Sequence, residues 1–235
     1  MRENIISFTP MSKEAKFAVE MPQPARHSIP QWYKDMPAFI DNKLSIDPIN
    51  GKANTTQKMC LPFADAFNFG YIQKTWCDIM VEQDDDGIIS YYFSSGPRII
   101  EDRIPSKHRQ YGEDFYNIEF VWKSQWTPRV PKGYSILYTH PLNHEDLPFF
   151  TMSGVVDSDK FFYENQANHP FLIKNGFTGI IPQGTPMFQI IPFKRDNWKS
   201  VEEDFDPDTE FKAIRMQRKF WGVYKSDFWT KKTFK

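Results

Sequence analysis

Trp76-Cys77-Asp78-Ile79-Met80-Val81-Glu82-Gln83-Asp84-Asp85-Asp86-Gly87-Ile88-Ile89-Ser90-Tyr91-Tyr92-Phe93 is the stretch whose reading decides the fold class. Two runs rich in β-branched and aromatic residues flank residues 83–87, and the Asp-Gly pair there has the chemistry of a hairpin turn. The pattern predicts antiparallel strands over 76–82 and 88–93. Working outward, the same composition predicts strands over 115–126, 134–138, 153–157, 161–163 and 188–193.

One internal echo supports a hairpin architecture. Pro131-Lys132-Gly133 opens a segment closed by Pro141, and Pro182-Gln183-Gly184 opens one of equal length closed by Pro192. Proline presets the first central position of a turn and glycine supplies its left-handed residue, so each motif turns the chain into a strand that the later proline stops. Two similar hairpins, rather than a duplication, explain the match.

The flanks read differently. Residues 1–70 are broken by Pro10, Pro22, Pro24, Pro30, Pro37 and Pro48, leaving room for short helices near 30–37 and 61–70, the second begun by Pro62 and ended by Gly70. Beyond residue 195, Asp206-Pro207-Asp208 is a helix start, and Phe211, Ile214, Phe220, Trp221, Tyr224 and Phe228 recur at helical spacings. A helix over 206–230 is expected to pack its aromatic face on the β-structure, with Trp229 and Phe234 docking the tail on this chain or on another subunit. The chain is expected to be one domain, 1–235: an irregular segment 1–70 packed on the core, a β core 71–195 and the C-terminal helix. The fold class is mainly β, a β-rich α+β chain forming an antiparallel β-barrel or sandwich of β-clip or jelly-roll-like topology.

Composition bounds the function. A chain of 235 residues buries about 70–75% of its unfolded surface, so the core needs no staples. Lys plus Arg number 29 and Asp plus Glu 30, a balance that excludes wholesale attraction to nucleic acid or anionic lipid. Apolar runs are too short to span a membrane, and residues 1–10 lack the apolar centre of a secretory signal. Cys60 and Cys77 are expected as buried, unbridged thiols of a reducing compartment, so a cytoplasmic location is expected.

Candidate chemistry is sparse. His140-Pro141-Leu142-Asn143-His144-Glu145-Asp146 is the densest group of ligand-type side chains, but Pro141 breaks the helical geometry that would pair His140 with His144; a polar turn between strands is the simpler reading, and no metal or other cofactor is expected. Asp157 and Asp159 at a strand end are the candidate catalytic carboxylates, set against an ordinary turn. His140, His144, Asp146 and Arg98 are the candidate binding residues. No Gly-rich phosphate loop or Ser elbow occurs, and Lys194-Arg195 reads as a solvated charge pair. Trp122, Trp126 and Tyr134 are read as core rather than as a stacking platform for bases.

Two resemblances follow from particular segments. Ile29-Pro30-Gln31-Trp32-Tyr33-Lys34 through Cys60-Leu61-Pro62-Phe63, and Phe177-Thr178-Gly179-Ile180-Ile181-Pro182-Gln183-Gly184-Thr185-Pro186-Met187-Phe188-Gln189-Ile190-Ile191-Pro192-Phe193-Lys194-Arg195, resemble a family of uncharacterised proteins of tailed phages and some bacteria. The likeness spans most of the chain and brings no activity with it. Gly154-Val155-Val156-Asp157-Ser158-Asp159, followed by Gly184-Thr185-Pro186-Met187-Phe188-Gln189-Ile190-Ile191, is similar to the last β-module of the dUTPase and dCTP deaminase group. That resemblance implies a nucleotide-site role for Asp157. The group's Pro-Arg-Ser phosphate motif is missing, since Pro97-Arg98 precedes Ile99, and so is its Gly-rich arm. The leading expectation is a non-enzymatic structural or binding protein of phage type, acting as a homo-oligomer or on another protein. The alternatives are a nucleotide-pyrophosphatase-like enzyme centred on Asp157 and a cupin-like metal protein using His140 and His144.

Overall fold

The computed structural model describes residues 4–49, 51–85, 87, 89–103, 111–161, 168–217 and 224–235. The N-terminal segment holds β1 (Ser7–Pro10), α1 (Lys13–Ala18), β2 (Gln23–Pro24), α2 (Gln31–Asp35) and α3 (Leu61–Phe67). Both expected short helices form where proline presets them: Pro30 precedes α2, and Pro62 lies in the first turn of α3. Gly70 then takes φ +77, and a Cβ there would overlap the Ile190 carbonyl, so the residue allows both the left-handed turn and a close backbone approach. Trp32, Tyr33, Phe63 and Phe67 pack edge-on or tilted against one another and join α2 to α3.

The β core follows as β3 (Tyr71–Lys74), β4 (Ile79–Gln83), β5 (Ile89–Phe93), β6 (Ile100–Arg103), β7 (Glu119–Lys123), β8 (Trp126–Arg129), β9 (Tyr134–Thr139), β10 (Phe149–Thr151), β11 (Gly154–Val156), β12 (Asn168–Ile173), β13 (Gly179–Ile181) and β14 (Pro186–Lys194). The two larger sheets have the orders β11-β9-β14-β3-β2 and β10-β12-β7-β6; β13-β4-β5 and β1-β8 complete the set. The pairings are antiparallel. The fold is mainly β and sandwich-like, and no closed barrel forms among the described strands.

The core lies between the two larger sheets. Trp122 of β7 stacks on Phe171 of β12 with centroids 3.7 Å apart. Its Nε1–H donates to Thr151 Oγ1 at 3.0 Å, and that hydroxyl donates to the Met187 carbonyl at 2.6 Å, a buried hydrogen-bonded chain from one sheet to the other. Trp122 is fully buried and Trp126 nearly so, which places both in the core as their strand context implied.

The β4–β5 hairpin is present, but its pairing ends at Gln83↔Ile89, so its loop is longer than a two-residue turn. β4 starts at Ile79 rather than residue 76 because Trp76 and Cys77 are already turned into the core. The expected strand 115–126 divides into β7 and β8, and 161–163 extends outside the described residues. β12 escaped prediction because Asn168-His169-Pro170 contradicts strand propensity, a conflict resolved only by pairing with β7 and β10. The two Pro-x-Gly turns are alike: Gly133 and Gly184 have φ +87 and +86, and Tyr134 and Thr185 close them onto the Pro131 and Pro182 carbonyls. Pro192 does not stop its strand. β14 runs on to Lys194 against β9, whereas its pairing with β3 ends at Ile190, so no ladder bond is lost on that side.

Two further expectations are corrected. Cys77 is buried, but Cys60 is exposed at the start of α3, and both thiols are free. The C-terminal helix is α4 (Pro207–Gln217), shorter than expected, and it does not pack on the sheets: Phe211 is 62% and Ile214 41% exposed. Phe220 and Trp221 lie outside the described residues. Beyond a π-helical turn at Tyr224–Phe228, the tail returns to its own chain. Trp229 Nε1 donates to Asp65 at 2.9 Å, Lys232 pairs with the same carboxylate at 2.6 Å, and Phe234 packs edge-on against Phe69 and Tyr71. No helix among the described residues is long and apolar enough to cross a membrane.

Candidate functional site

The sequence offered two clusters, and β9 separates them. Ser135, near its start, touches Asp157, whereas His140 follows its last residue. At a rise of about 3.3 Å per residue, five residues of strand set the groups roughly 16 Å apart. The carboxylates and the histidines therefore do not converge.

At the first end, β11 delivers Asp157 and the following turn delivers Asp159, where the guanidinium of Arg195 emerges from β14. Arg195 Nη1 donates to Asp157 Oδ1 at 3.1 Å, Asp159 Oδ1 at 2.9 Å, the Tyr134 carbonyl at 2.8 Å and Ser135 Oγ at 2.9 Å, and Nη2 reaches Asp159 Oδ2 at 2.5 Å. Asp159 also accepts the Gly133 backbone N–H at 2.9 Å, and its side chain is only 2% exposed. The Arg195 hydrogen bond and then the Gly133 N–H hold its carboxyl well below the usual range. Asp157 is lowered by the Ser135 hydroxyl first and by Arg195 next. The bidentate fork locks the Pro131–Gly133 turn, the Asp157–Asp159 turn and the end of β14 together. Arg195 was expected in solvent; burial of Asp159 beside it gives the cation a structural place instead.

At the other end, His140 stacks on Phe150 with centroids 5.1 Å apart. The Thr151 N–H donates to its Nδ1 at 3.2 Å, which requires the proton on Nε2, and Nε2 then donates to the His144 carbonyl at 3.0 Å. Both ring nitrogens are committed to backbone, leaving His140 no lone pair for a metal. Burial lowers its pKa. His144 is buried edge-on to Phe67, and burial pushes its pKa down to about 4, so it is neutral at physiological pH. Asn143 takes φ +60 and donates to the Phe63 carbonyl at 3.3 Å. Glu145 and Asp146 face solvent. His140, Asn143, His144 and Glu145, with Phe115, Phe149, Phe150 and Lys174, line an open, mostly apolar cleft of about 330 Å³, and Asp146 lies outside it. Among the described residues no group of three His, Cys, Asp or Glu side chains could hold a metal ion. Arg98 belongs to neither end; it pairs with Glu101 at 2.6 Å on the surface.

Two polar residues that sequence reasoning passed over organise this region. Gln189, 1% exposed in β14, accepts the Leu142 N–H at 2.8 Å and donates to the Ala66 carbonyl at 3.2 Å and to the Phe69 carbonyl. It ties the end of α3 and the histidine turn to the central sheet. His169 of β12 lies between Tyr138 and Phe188, with centroids at 4.3 and 4.2 Å; its Nε2 has no partner among the described residues, and burial pushes its pKa down to about 3. For Gln189 the signal was present, since a lone polar residue inside an apolar run must be satisfied when buried; His169, between Asn168 and Pro170, carried no such signal.

No protein-family model matches this chain, and a search of curated proteins finds no significant match.

Proposed function

We propose that this chain is a non-enzymatic structural or binding protein of the phage type, working as an oligomer in the host cytosol or the virion. The observation that carries the reading is the segment between Arg195 and Trp229, in which Trp198, Val201, Phe205, Phe211 and Phe228 are between 56% and 91% exposed. Single exposed apolar residues are ordinary, but a succession of them along one segment is the material of contact surfaces. The polar candidates favour the same reading. Acid–base catalysis needs a group free to exchange a proton with substrate. His140 and Asp159 are bonded to the fold, and Arg195 already occupies the two carboxylates that a magnesium nucleotide would need.

The test has three arms. Deoxynucleoside triphosphates with magnesium are followed for pyrophosphate and ammonia release, native protein is cross-linked through its lysines and mapped by mass spectrometry, and protein purified without chelator is assayed for metal by elemental analysis. The expected result is no turnover above that of Asp157→Asn, together with intermolecular links at Lys199, Lys212 and Lys225. Turnover that vanishes in a folded Asp157→Asn variant overturns the reading in favour of a nucleotide pyrophosphatase. Stoichiometric metal that is lost in His144→Ala overturns it in favour of a cupin-like protein.

A further inference from the structure

The segment 196–228 is anchored at both ends, and large apolar side chains are exposed along its described residues. Arg195 fixes one end in the carboxylate clamp, and Trp229, Lys232 and Phe234 fix the other on Asp65, Phe69 and Tyr71. Between these anchors Trp198 is 91%, Phe205 74%, Phe211 62% and Phe228 56% exposed. The charges of this arm are sorted. Residues 202–210 carry six carboxylates (Glu202, Glu203, Asp204, Asp206, Asp208 and Glu210) and no cation, whereas residues 211–225 carry five cations and no carboxylate.

Helix α4 accounts for only part of this sorting. Asp206 caps the helix, accepting the Asp208 N–H at 3.0 Å and the Thr209 hydroxyl at 2.5 Å, and acids in the first turn suit the helix dipole. That effect fades within one turn, so it does not explain Glu202, Glu203 and Asp204 upstream, nor Lys225 well beyond the end of α4. None of the six carboxylates forms an ion pair with a described residue. A surface that is acidic along one half and basic along the other is complementary to itself when reversed. The sign changes at Phe211, so a two-fold axis at that residue would bring the apolar centres of two arms together while opposite charges face each other on both sides.

We propose that the partner of this arm is a second copy of the chain, the two arms lying antiparallel about a two-fold axis near Phe211, with the acidic stretch of each facing the cations of the other. The inference rests on the binding role proposed above and names its partner. The size is adequate: with about 150–250 Å² per aromatic side chain, covering Trp198, Phe205, Phe211 and Phe228 in both copies removes on the order of 1,000 Å² from water, where specific interfaces begin.

Sedimentation equilibrium of the full chain tests it. The wild type is expected to be a dimer whose dissociation constant rises at least tenfold between about 50 and 500 mM salt, because exposed charge pairs are screened over that range. Phe211→Ser/Ile214→Ser is expected to be monomeric with an unchanged melting curve. Glu202→Lys/Glu203→Lys/Asp204→Lys and Lys212→Glu/Arg215→Glu/Lys225→Glu, each self-repelling, are expected to be monomeric alone and to form a one-to-one dimer when mixed. A monomeric wild type, or charge variants that dimerise alone as the wild type does, or a mixture that stays monomeric, overturns the proposal. A monomeric wild type that still forms intermolecular links at arm lysines to a different protein leaves the binding role intact, so the two failures are distinguishable.

Discussion

Replacing Gln189 by Leu removes a polar side chain that joins α3, the turn after β9 and the central sheet. The residue is 1% exposed and of nearly the same volume as Leu, so the change tests hydrogen bonding more than packing. Three groups lose a partner: the Leu142 N–H, the Ala66 carbonyl and the Phe69 carbonyl. The Ala66 carbonyl keeps a long bond from the Phe69 N–H at 3.4 Å, so most of the loss falls on the other two. A buried group left unpaired costs about 1–3 kcal/mol. Two such groups, partly offset by the greater transfer free energy of Leu, give a net destabilisation of about 3 kcal/mol. For a chain of this size each kcal/mol lowers the midpoint by about 2–4 °C, so a fall of roughly 6–12 °C is expected. Urea unfolding followed by tryptophan fluorescence measures the free energy, and native-state hydrogen exchange at Leu142 locates the effect. A variant within about 0.5 kcal/mol of wild type, the ordinary range of surface changes, would show that Gln189 does not hold these elements together.

Acidification should destabilise the fold. Unfolded histidine takes up its proton near 6.5, whereas His144 and His169 resist until about 4 and about 3. Between those values the unfolded chain binds more protons, so stability present above 6.5 is lost as pH falls, by at most about 1.4 kcal/mol per pH unit for each histidine. His169→Phe should flatten the slope below pH 6, and an unchanged slope would refute the assignment. Phe234 packs on Phe69 and Tyr71 while Phe211 is mostly exposed, so Phe234→Ala should cost about 1–2 kcal/mol and Phe211→Ala less than about 0.5 kcal/mol. Equal losses in thermal denaturation would contradict the exposure of α4. A thiol reagent should titrate Cys60 rapidly in the native protein and reach Cys77 only on unfolding, because Cys77 is buried and burial pushes its thiol pKa up. Two equally fast thiols would refute this.

The sequence by itself determined what depends on local chemistry. Alternating β-branched and aromatic runs gave the class, proline placed α2 and α3, the paired Pro-x-Gly motifs gave matching turns at Gly133 and Gly184, and Asp206 capped its helix. These features depend on neighbours within a few residues, and propensity registers them. What only the tertiary structure decided depends on residues far apart in the chain. Arg195 and Asp159 read separately as a solvated cation and a turn carboxylate, and they form a clamp only because β14 and the turn after β11 end at the same edge. The metal alternative at His140 turned on its free lone pair, which the Thr151 N–H, across the turn, takes up. The helical spacing of Phe211 and Ile214 predicted a buried face, yet periodicity records only that a side is apolar. It does not say whether the surface that covers it belongs to the same chain, and here the sheets satisfy their own faces and leave α4 outside.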